Sequence, residues 1–281
     1  MAPTTSETTR ALRSHSNMPQ ATRTPQQLFY YLKDRILQAN GPDYLEMEGI
    51  PPATGHLVAR SLSEDGDVER KSVIMGYNSI TQTFSVNMPN GLHNCCLSWA
   101  TEQHKDAFMQ GFFAPGEARH VRLCGTDRFD NFLPPYTASY KEPDAFIINP
   151  ASGSPLPSIV TESGYSESVR KLYDHKDLWL QGGAPHVNVV ILLKWYKRIR
   201  NRIAGWVELH RRGVGVPLRI TLFPAPPSGT PPQHLTLFRS DLYPGGVVPA
   251  GRNANDAWEW SIDILREHAR DAMRREGLVP V

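Results

Sequence analysis

Two acidic residues, Asp144 and Glu162, lie at equal distances from Gly153 in the sequence. The connection between residues 149 and 156 is rich in Pro, Gly and Ser, and this composition predicts a chain reversal. If the flanking segments pair as an antiparallel hairpin about Gly153, the two acids lie directly opposite each other with Cβ atoms about 5 Å apart. Carboxylates this close repel unless a cation neutralises them, and Mg²⁺ is a common solution because it prefers oxygen ligands. The alternative is that one carboxylate caps a turn while the other faces solvent.

A lysine falls inside the apolar stripe of a helix that we predict from Ser166 to Leu180. The stripe has helical spacing and consists of Val169, Leu172, Tyr173 and Leu180. Lys176 lies within this stripe, and two arrangements are open to it. Its stem packs along the apolar surface with the ammonium in water, or its ammonium points at the acid pair. In the second arrangement the charge stabilises a developing phosphorane or orients a water molecule.

Seven basic residues cluster in one short segment with Trp195, Tyr196 and Trp206 between them. They are Lys194, Lys197, Arg198, Arg200, Arg202, Arg211 and Arg212. Basic side chains interleaved with aromatic rings suit the neutralisation of phosphates and the stacking of bases. We therefore predict nucleic-acid contacts from Lys197, Arg198, Arg200 and Arg202. The alternative is a solvated surface loop, because the net charge of the chain is only +2.

The elements around the acid pair alternate between helix and strand. We predict, in order, a helix at 92–113, strands at 119–124, 143–148 and 157–162, a helix at 166–180 and a strand at 186–195. This order, α-β-β-β-α-β, calls for a mixed sheet flanked by helices, an α/β (α+β) fold.

Further elements are predicted on both sides of this core. They are a helix from Thr24 to Asn40, a loop-rich stretch at 43–67, a hairpin of strands at 71–77 and 81–88, strands at 205–210, 218–223 and 234–238, and a helix at 256–275. Asn255 is predicted to cap the last helix, whose apolar stripe includes Trp258, Ile262 and Leu265. We expect one domain over residues 25–281, with a core at about 70–200 and a C-terminal extension at 201–281.

Composition excludes several classes of protein. The chain has 281 residues, of which 40% are hydrophobic and 21% charged, as expected of a globular protein. No apolar run approaches the roughly 18 residues that span a bilayer, and no secretory signal is recognisable. Residues 1–24 are predicted to be a disordered tail, with a mitochondrial transit peptide as the alternative. The expected location is the cytoplasm or the nucleus.

Several short motifs occur in an order that points to a known family. They are Met88-Pro89, His93, Glu142-Pro143-Asp144, the run from Pro157 through Glu162 to Ser168, Trp179-Leu180, and the run from Val189 to Lys194. This order resembles the restriction-endonuclease-like proteins of the PD-(D/E)XK superfamily, in the form found as fungal hypothetical proteins and related to a large bacterial family. The resemblance covers roughly residues 70–200.

The resemblance implies a metal-dependent phosphodiester hydrolase fold. Asp144 matches the first acidic position of the family and Glu162 the second. The expected Glu-x-Lys reads Glu162-Ser163-Gly164, so the lysine two residues on is missing. In the related bacterial proteins the lysine has moved to the following helix, where Lys176 matches it best and Lys171 is the second choice.

The resulting functional prediction is Mg²⁺- or Mn²⁺-dependent phosphodiester hydrolysis on DNA or RNA. Asp144 and Glu162 would hold the metal, Lys176 would assist the chemistry, and the basic segment would bind the backbone. In one alternative the protein has this fold but another role, for example in fungal secondary metabolism or on an RNA such as a tRNA. The other alternative is a non-catalytic interaction module. A homodimer is compatible with each prediction, and a membrane partner with none.

Overall fold

The structure is a computed structural model, and it describes residues 23–39, 41 and 43–281. Residues 1–22 of the tail predicted at residues 1–24 lie outside the described residues. At the start of the described chain, Arg23 lies over the ring of Tyr31 at 3.8 Å. Thr24 caps the first helix, because its hydroxyl accepts from the Gln27 N–H while the Gln27 side chain accepts from the Thr24 N–H.

The described residues form helices and short strands in alternation. The helices are α1 (Pro25–Gln38), α2 (Pro52–Ser63), α3 (Gly66–Glu69), α4 (Gly91–Met109), α5 (Pro115–His120), α6 (Val169–Asp177) and α7 (Ile262–Arg275). The strands are β1 (Asp43–Met47), β2 (Ile74–Asn78), β3 (Thr83–Met88), β4 (Arg122–Cys124), β5 (Tyr140–Lys141), β6 (Ala145–Ile148), β7 (Ile159–Gly164), β8 (Val189–Lys197), β9 (Arg202–Arg211), β10 (Leu218–Phe223), β11 (His234–Phe238), β12 (Ala257–Ser261) and β13 (Val279–Pro280). The mixed α and β class is therefore confirmed.

The larger sheet carries the two predicted acids. Its strand order is β10-β9-β8-β7-β6-β4, with β13 parallel to β9. β7 and β8 are parallel and joined by α6, whereas their outer neighbours are antiparallel. β8 is buried on both faces, which explains its continuous apolar sequence. Ile191 packs into the apolar cluster shared with α4 and α7, and Leu192 packs into the one shared with α6.

The smaller sheet has the order β1-β3-β2-β5 and is antiparallel throughout. The predicted hairpin at residues 71–88 forms its centre as β2 and β3. Helices α1 and α2 bury an apolar stripe against this sheet, formed by Leu28, Leu32, Ile36, Val58 and Leu62. β5 lies between β4 and β6 in the chain, and its Lys141 pairs with Gly76 of β2. The chain therefore passes from the larger sheet to the smaller one and back just before Asp144.

The predicted order of elements from residue 92 to residue 195 is observed with two changes. α4, β4, β6, β7, α6 and β8 follow one another, with α5 and the two-residue β5 inserted. α5 takes up the beginning of the segment predicted as the first strand, because Pro115 favours the first turn of a helix. After α6 the chain makes a π-helical turn at Leu178–Gly182 instead of continuing as a regular helix.

Two predictions outside this region are wrong. Residues 43–67 form β1, α2 and α3 instead of a loop, because Pro52 begins a helix and Val58, Ala59 and Leu62 supply its buried face. Residues 257–261 form β12, paired with β11, instead of the first turns of a helix.

The error at β12 has a simple physical cause. Trp258 and Trp260 are buried on one face while Glu259 between them is exposed, which is the alternation of a strand. The helix begins only at Ile262, and its cap is Ser261 instead of Asn255. No helix among the described residues is long and apolar enough to cross a membrane.

Candidate functional site

Asp144 and Glu162 meet at the end of the β6–β7 pair. The observed register pairs Ala145 with Thr161 and Ile147 with Ile159, and its continuation places Asp144 opposite Glu162. The Asp144 N–H still donates to the Thr161 carbonyl at 3.2 Å. The reversal between the strands passes through Gly153, whose φ of 69° is the left-handed conformation that glycine adopts without strain. The predicted register is therefore confirmed.

Glu162 is held by three side chains from different elements. Its Oε2 lies 3.0 Å from the ammonium of Lys141 on β5 and 3.6 Å from Nδ1 of His175 on α6. Its Oε1 accepts from the indole N–H of Trp179 at 2.6 Å. The π-helical turn after α6 carries that indole, so this irregular turn positions a hydrogen-bond donor to Glu162.

Asp144 has a different set of partners. Its Oδ2 accepts from the Ser163 N–H at 2.5 Å and lies 3.4 Å from Nε2 of His93. Asn90 caps α4 by accepting from the His93 N–H at 2.7 Å, which fixes the histidine in the first turn. The Asn87 side chain also lies 2.6 Å from His93 Nε2.

A third carboxylate, that of Glu167, belongs to the same buried group. Its Oε2 lies 3.8 Å from His175 Nδ1. The nearby ammonium of Lys194 on β8 forms no ion pair with any carboxylate of the described residues. It donates to the backbone carbonyls of Glu167, Tyr165 and Gly164 at 2.7, 3.1 and 3.4 Å.

Burial and charge shift the pKa values of these groups in opposite directions. Burial, reinforced by the charge of Glu162, raises the pKa of Asp144 well above its usual value. Burial would also raise the pKa of Glu162, but the charge of Lys141, the nearby imidazole of His175 and the indole N–H of Trp179 outweigh it and lower this pKa to about 2. Burial raises the pKa of Glu167 and lowers that of His93. Lys141 is therefore the main positive charge that the carboxylates share.

The site is a narrow space lined by buried and half-buried side chains. Asp144, Glu162 and Glu167 line a cavity of about 10 Å³, which has room for about one water molecule. Tyr44, Ile74, Ser85 and Asn87 of the smaller sheet close it from the other side. We call the group formed by Lys141, Asp144, Glu162, Glu167 and His175 the charge cluster.

The Mg²⁺ or Mn²⁺ ion implied by the resemblance does not fit the charge cluster as it is arranged. Glu162 Oε2 faces the Lys141 ammonium, and Oε1 accepts from Trp179. Asp144 Oδ2 accepts a backbone N–H. Within residues 23–39, 41 and 43–281, no three or more His, Cys, Asp or Glu side chains are grouped so as to hold a metal ion.

The predicted placement of Lys176 beside the acid pair is wrong. Its ammonium lies 2.8 Å from the Asp177 carboxylate and 5.6 Å from the ring of Tyr173, near the surface. Lys171, the second choice, pairs with Glu46 and Glu48 at 2.7 and 2.9 Å. α6 turns both ammonium groups away from Glu162, and the lysine that reaches it comes from β5.

The four predicted nucleic-acid contacts lie together at the turn between β8 and β9. Lys197, Arg198, Arg200 and Arg202 are all exposed, and Ile199 among them is 82% exposed. The other three basic residues of the segment have internal partners. Lys194 is buried, Arg211 pairs with Asp241, and Arg212 bonds to residues 187 and 188.

Sequence reasoning missed five residues of this site, namely His93 as a partner of Asp144, Lys141, Glu167, His175 and Trp179. His93, Glu167 and Trp179 lie within the motifs that carry the resemblance, although no role at the site was predicted for them, and Lys141 precedes Asp144 by three residues. Its contact with Glu162 depends on the pairing of β5 with β2, which joins distant parts of the chain. The sequence pattern does not reveal such a pairing.

Comparison with known proteins adds no assignment. No family model matches the chain, and no curated protein is detectably similar to it.

Proposed function

We propose that this chain binds nucleic acid through the turn between β8 and β9. The observation that carries the proposal is the exposure of Lys197, Arg198, Arg200 and Arg202 within six residues. No acidic residue occurs from residue 178 to residue 207, so these charges have no acid close in sequence. An anionic polymer with closely spaced phosphates is the partner that such a turn attracts most strongly.

The backbone of the turn supports the proposal independently. Arg200 has φ 56° and ψ 39°, a left-handed conformation that costs a non-glycine residue roughly 1 kcal/mol or more. Asn201 follows with φ 55°, and asparagine tolerates this conformation better. Glycine at position 200 would avoid the strain, and an arginine at this position favours a role for its side chain in binding.

The interaction is tested by fluorescence anisotropy with labelled single- and double-stranded DNA and RNA over a range of salt concentrations. The test variant replaces Lys197, Arg198, Arg200 and Arg202 by Gln. Each cation that no longer neutralises a phosphate makes the slope of log K against log salt shallower, by about 0.9 for duplex DNA and about 0.7 for single strands. We expect the variant to bind weakly with a nearly flat slope.

A charge-matched control separates the turn from the net charge of the chain. Its four Gln substitutions are at Arg60, Arg70, Arg274 and Arg275, which are exposed elsewhere on the surface. This control is expected to keep most of the affinity and the salt slope. Equal losses in both variants would show that binding is non-specific and would contradict the assignment to the turn.

We also propose a restriction-endonuclease-like core, with phosphodiester hydrolysis as the second candidate function. What favours hydrolysis is the opposition of Asp144 and Glu162, together with the Lys141 ammonium, which supplies the charge that the missing Glu-x-Lys lysine would bring. The proposal includes no metal-dependent step, because the observed arrangement does not fit a metal.

A cleavage assay distinguishes the two candidates. Bound DNA and RNA are incubated with EDTA, Mg²⁺ or Mn²⁺, and the wild type is compared with Asp144→Asn. Cleavage by the wild type that Asp144→Asn abolishes would establish hydrolysis. Nucleic acid that is bound but stays intact under every condition would leave binding as the function.

A further inference from the structure

The charge cluster combines three buried carboxylates with one buried lysine in a narrow space. Asp144, Glu162 and Glu167 are each at most 7% exposed, and Lys141 is 5% exposed. All four line the same cavity of about 10 Å³. Unpaired buried charges are strongly unfavourable, so the lysine is essential to the charge balance of the cavity.

The smaller sheet positions this lysine at the carboxylates. Lys141 lies in register with Gly76, a residue without a side chain in the middle of a buried strand. A Cβ atom on Gly76 would lie 3.0 Å from Cδ of Lys141 and 3.2 Å from Oγ of Ser85. A glycine inside a strand often marks such a close approach, and here it leaves the space through which the lysine stem passes.

The other basic groups nearby do not balance the charge of the carboxylates as Lys141 does. The Lys194 ammonium donates to three backbone carbonyls. His93 lies in a fully buried position that disfavours its charged form. His175 is more than 3.5 Å from both of its carboxylate neighbours.

We propose that the Lys141 ammonium stands in place of the divalent cation that the resemblance implies, so that the natural protein excludes Mg²⁺ and Mn²⁺ from the charge cluster. A variant without this lysine then binds them through the uncompensated carboxylates. The inference does not depend on nucleic-acid binding by the turn.

The small volume of the cavity also favours the lysine ammonium over a hydrated divalent cation. A space for one water does not admit a Mg²⁺ or Mn²⁺ ion that keeps several water ligands. Lys141→Ala removes the ammonium and every side-chain atom beyond Cβ. The variant thus frees volume at the carboxylates and leaves their negative charge unmatched.

The experiment measures Mn²⁺ bound to the full chain by electron paramagnetic resonance. Lys141→Ala is expected to bind Mn²⁺ at least about tenfold more tightly than the wild type. Lys141→Arg keeps the positive charge and is expected to exclude the ion as the wild type does. Lys194→Ala is the matched control, because it removes a buried lysine whose ammonium donates to backbone carbonyls and lies over the Tyr196 ring, and it is expected to bind no Mn²⁺.

A second variant keeps the test decisive if Lys141→Ala does not fold without metal. Lys141→Gln retains polarity at the position, and both variants are refolded with and without Mn²⁺. Recovery of folded protein, or a rise in melting temperature, that appears only with Mn²⁺ supports the proposal.

Three outcomes overturn it. Mn²⁺ binding by the wild type that Asp144→Asn abolishes would show that the lysine does not exclude the ion. Equal Mn²⁺ binding by Lys141→Arg and Lys141→Ala would show that the charge is not the cause. Absence of binding and of Mn²⁺-dependent folding in both neutral variants would show that Lys141 only forms a buried ion pair with Glu162 and does not exclude a metal ion.

Discussion

Lys141 interacts more directly with one of the surrounding carboxylates than with the others. It pairs directly with Glu162, whereas Asp144 accepts a backbone N–H and faces His93. Burial lowers the pKa of His93, so that the histidine is neutral near pH 7. We therefore expect the two acids, which the sequence pattern presents as equivalent, to contribute to stability with opposite signs.

We expect Glu162→Gln to destabilise the protein at pH 7 and Asp144→Asn to stabilise it. Removing Glu162 leaves a buried ammonium without its partner, which costs about 3 kcal/mol. Removing Asp144 relieves a buried carboxylate whose pKa is raised by burial and by the charge of Glu162. Urea unfolding of both variants and the wild type gives the two free energies of unfolding.

The pH dependence of the two effects checks their cause. Glu162 has a folded-state pKa of about 2, below its usual 4.5, so its contribution is complete above pH 4.5 and disappears as the pH falls towards 2. The folded-state pKa of Asp144 is raised, so its unfavourable contribution is absent below its usual 3.8 and grows as the pH rises. The advantage of Asp144→Asn must therefore vanish in acid. An advantage that is constant with pH would contradict the electrostatic explanation.

At the scale of single elements, the turn between β8 and β9 carries an exposed positive charge at Arg200, in a backbone conformation that lowers the stability of the fold. We expect Arg200→Gly to raise the free energy of unfolding by about 1 kcal/mol, because glycine adopts the left-handed conformation without strain. The same change should weaken nucleic-acid binding, because it removes one of four exposed cations. Denaturant unfolding and anisotropy on one preparation measure both effects. If Arg200→Gly leaves binding unchanged, the arginine has no role in nucleic-acid binding.

The packing of α2 on β2 depends on a glycine that no local signal identifies. A Cβ atom on Gly55 would lie 2.2 Å from ring atoms of Tyr77, whose hydroxyl donates to the Ile50 carbonyl at 2.8 Å. The ring is fixed and buried, so we expect Gly55→Ala to destabilise the protein by about 1–3 kcal/mol despite the better helix propensity of alanine. Gly116→Ala in α5 meets nothing within 4 Å and is the control. It should be neutral or slightly stabilising, as measured by the shift in melting temperature.

The elements that sequence reasoning found are those whose signals are local. The loop around Gly153 fixed the register of Asp144 and Glu162, and the apolar run of β8 marked a strand buried on both faces. β12 was missed because Trp258 also fits a helical stripe when read together with Ile262. The route of Lys141 was missed because β5 has only two residues and pairs with a strand far away in the sequence.

At the scale of the whole molecule, the smaller sheet and α6 enclose the charge cluster from two sides. Lys171 on α6 links them, because its ammonium pairs with Glu46 at 2.7 Å and Glu48 at 2.9 Å, at the end of β1 and just beyond it. It also donates to the hydroxyl of Thr83 on β3 at 3.4 Å. One side chain thus connects the two layers that close the cavity.

We therefore expect Lys171→Ala to open the cavity more often without unfolding either sheet. The backbone N–H of Ser163, which donates to Asp144, is a direct reporter of this opening, because its hydrogen exchange requires the buried bond to break. Its exchange should accelerate in Lys171→Ala, while the exchange of N–H groups at the centre of β8 stays at the rate set by global unfolding. Lys176→Ala is the control, because it removes a lysine of the same helix whose contacts, with Asp177 and the Tyr173 ring, stay within that helix. Equal acceleration at Ser163 in both variants would show that α6 frays as a whole and that Lys171 does not hold the two layers together.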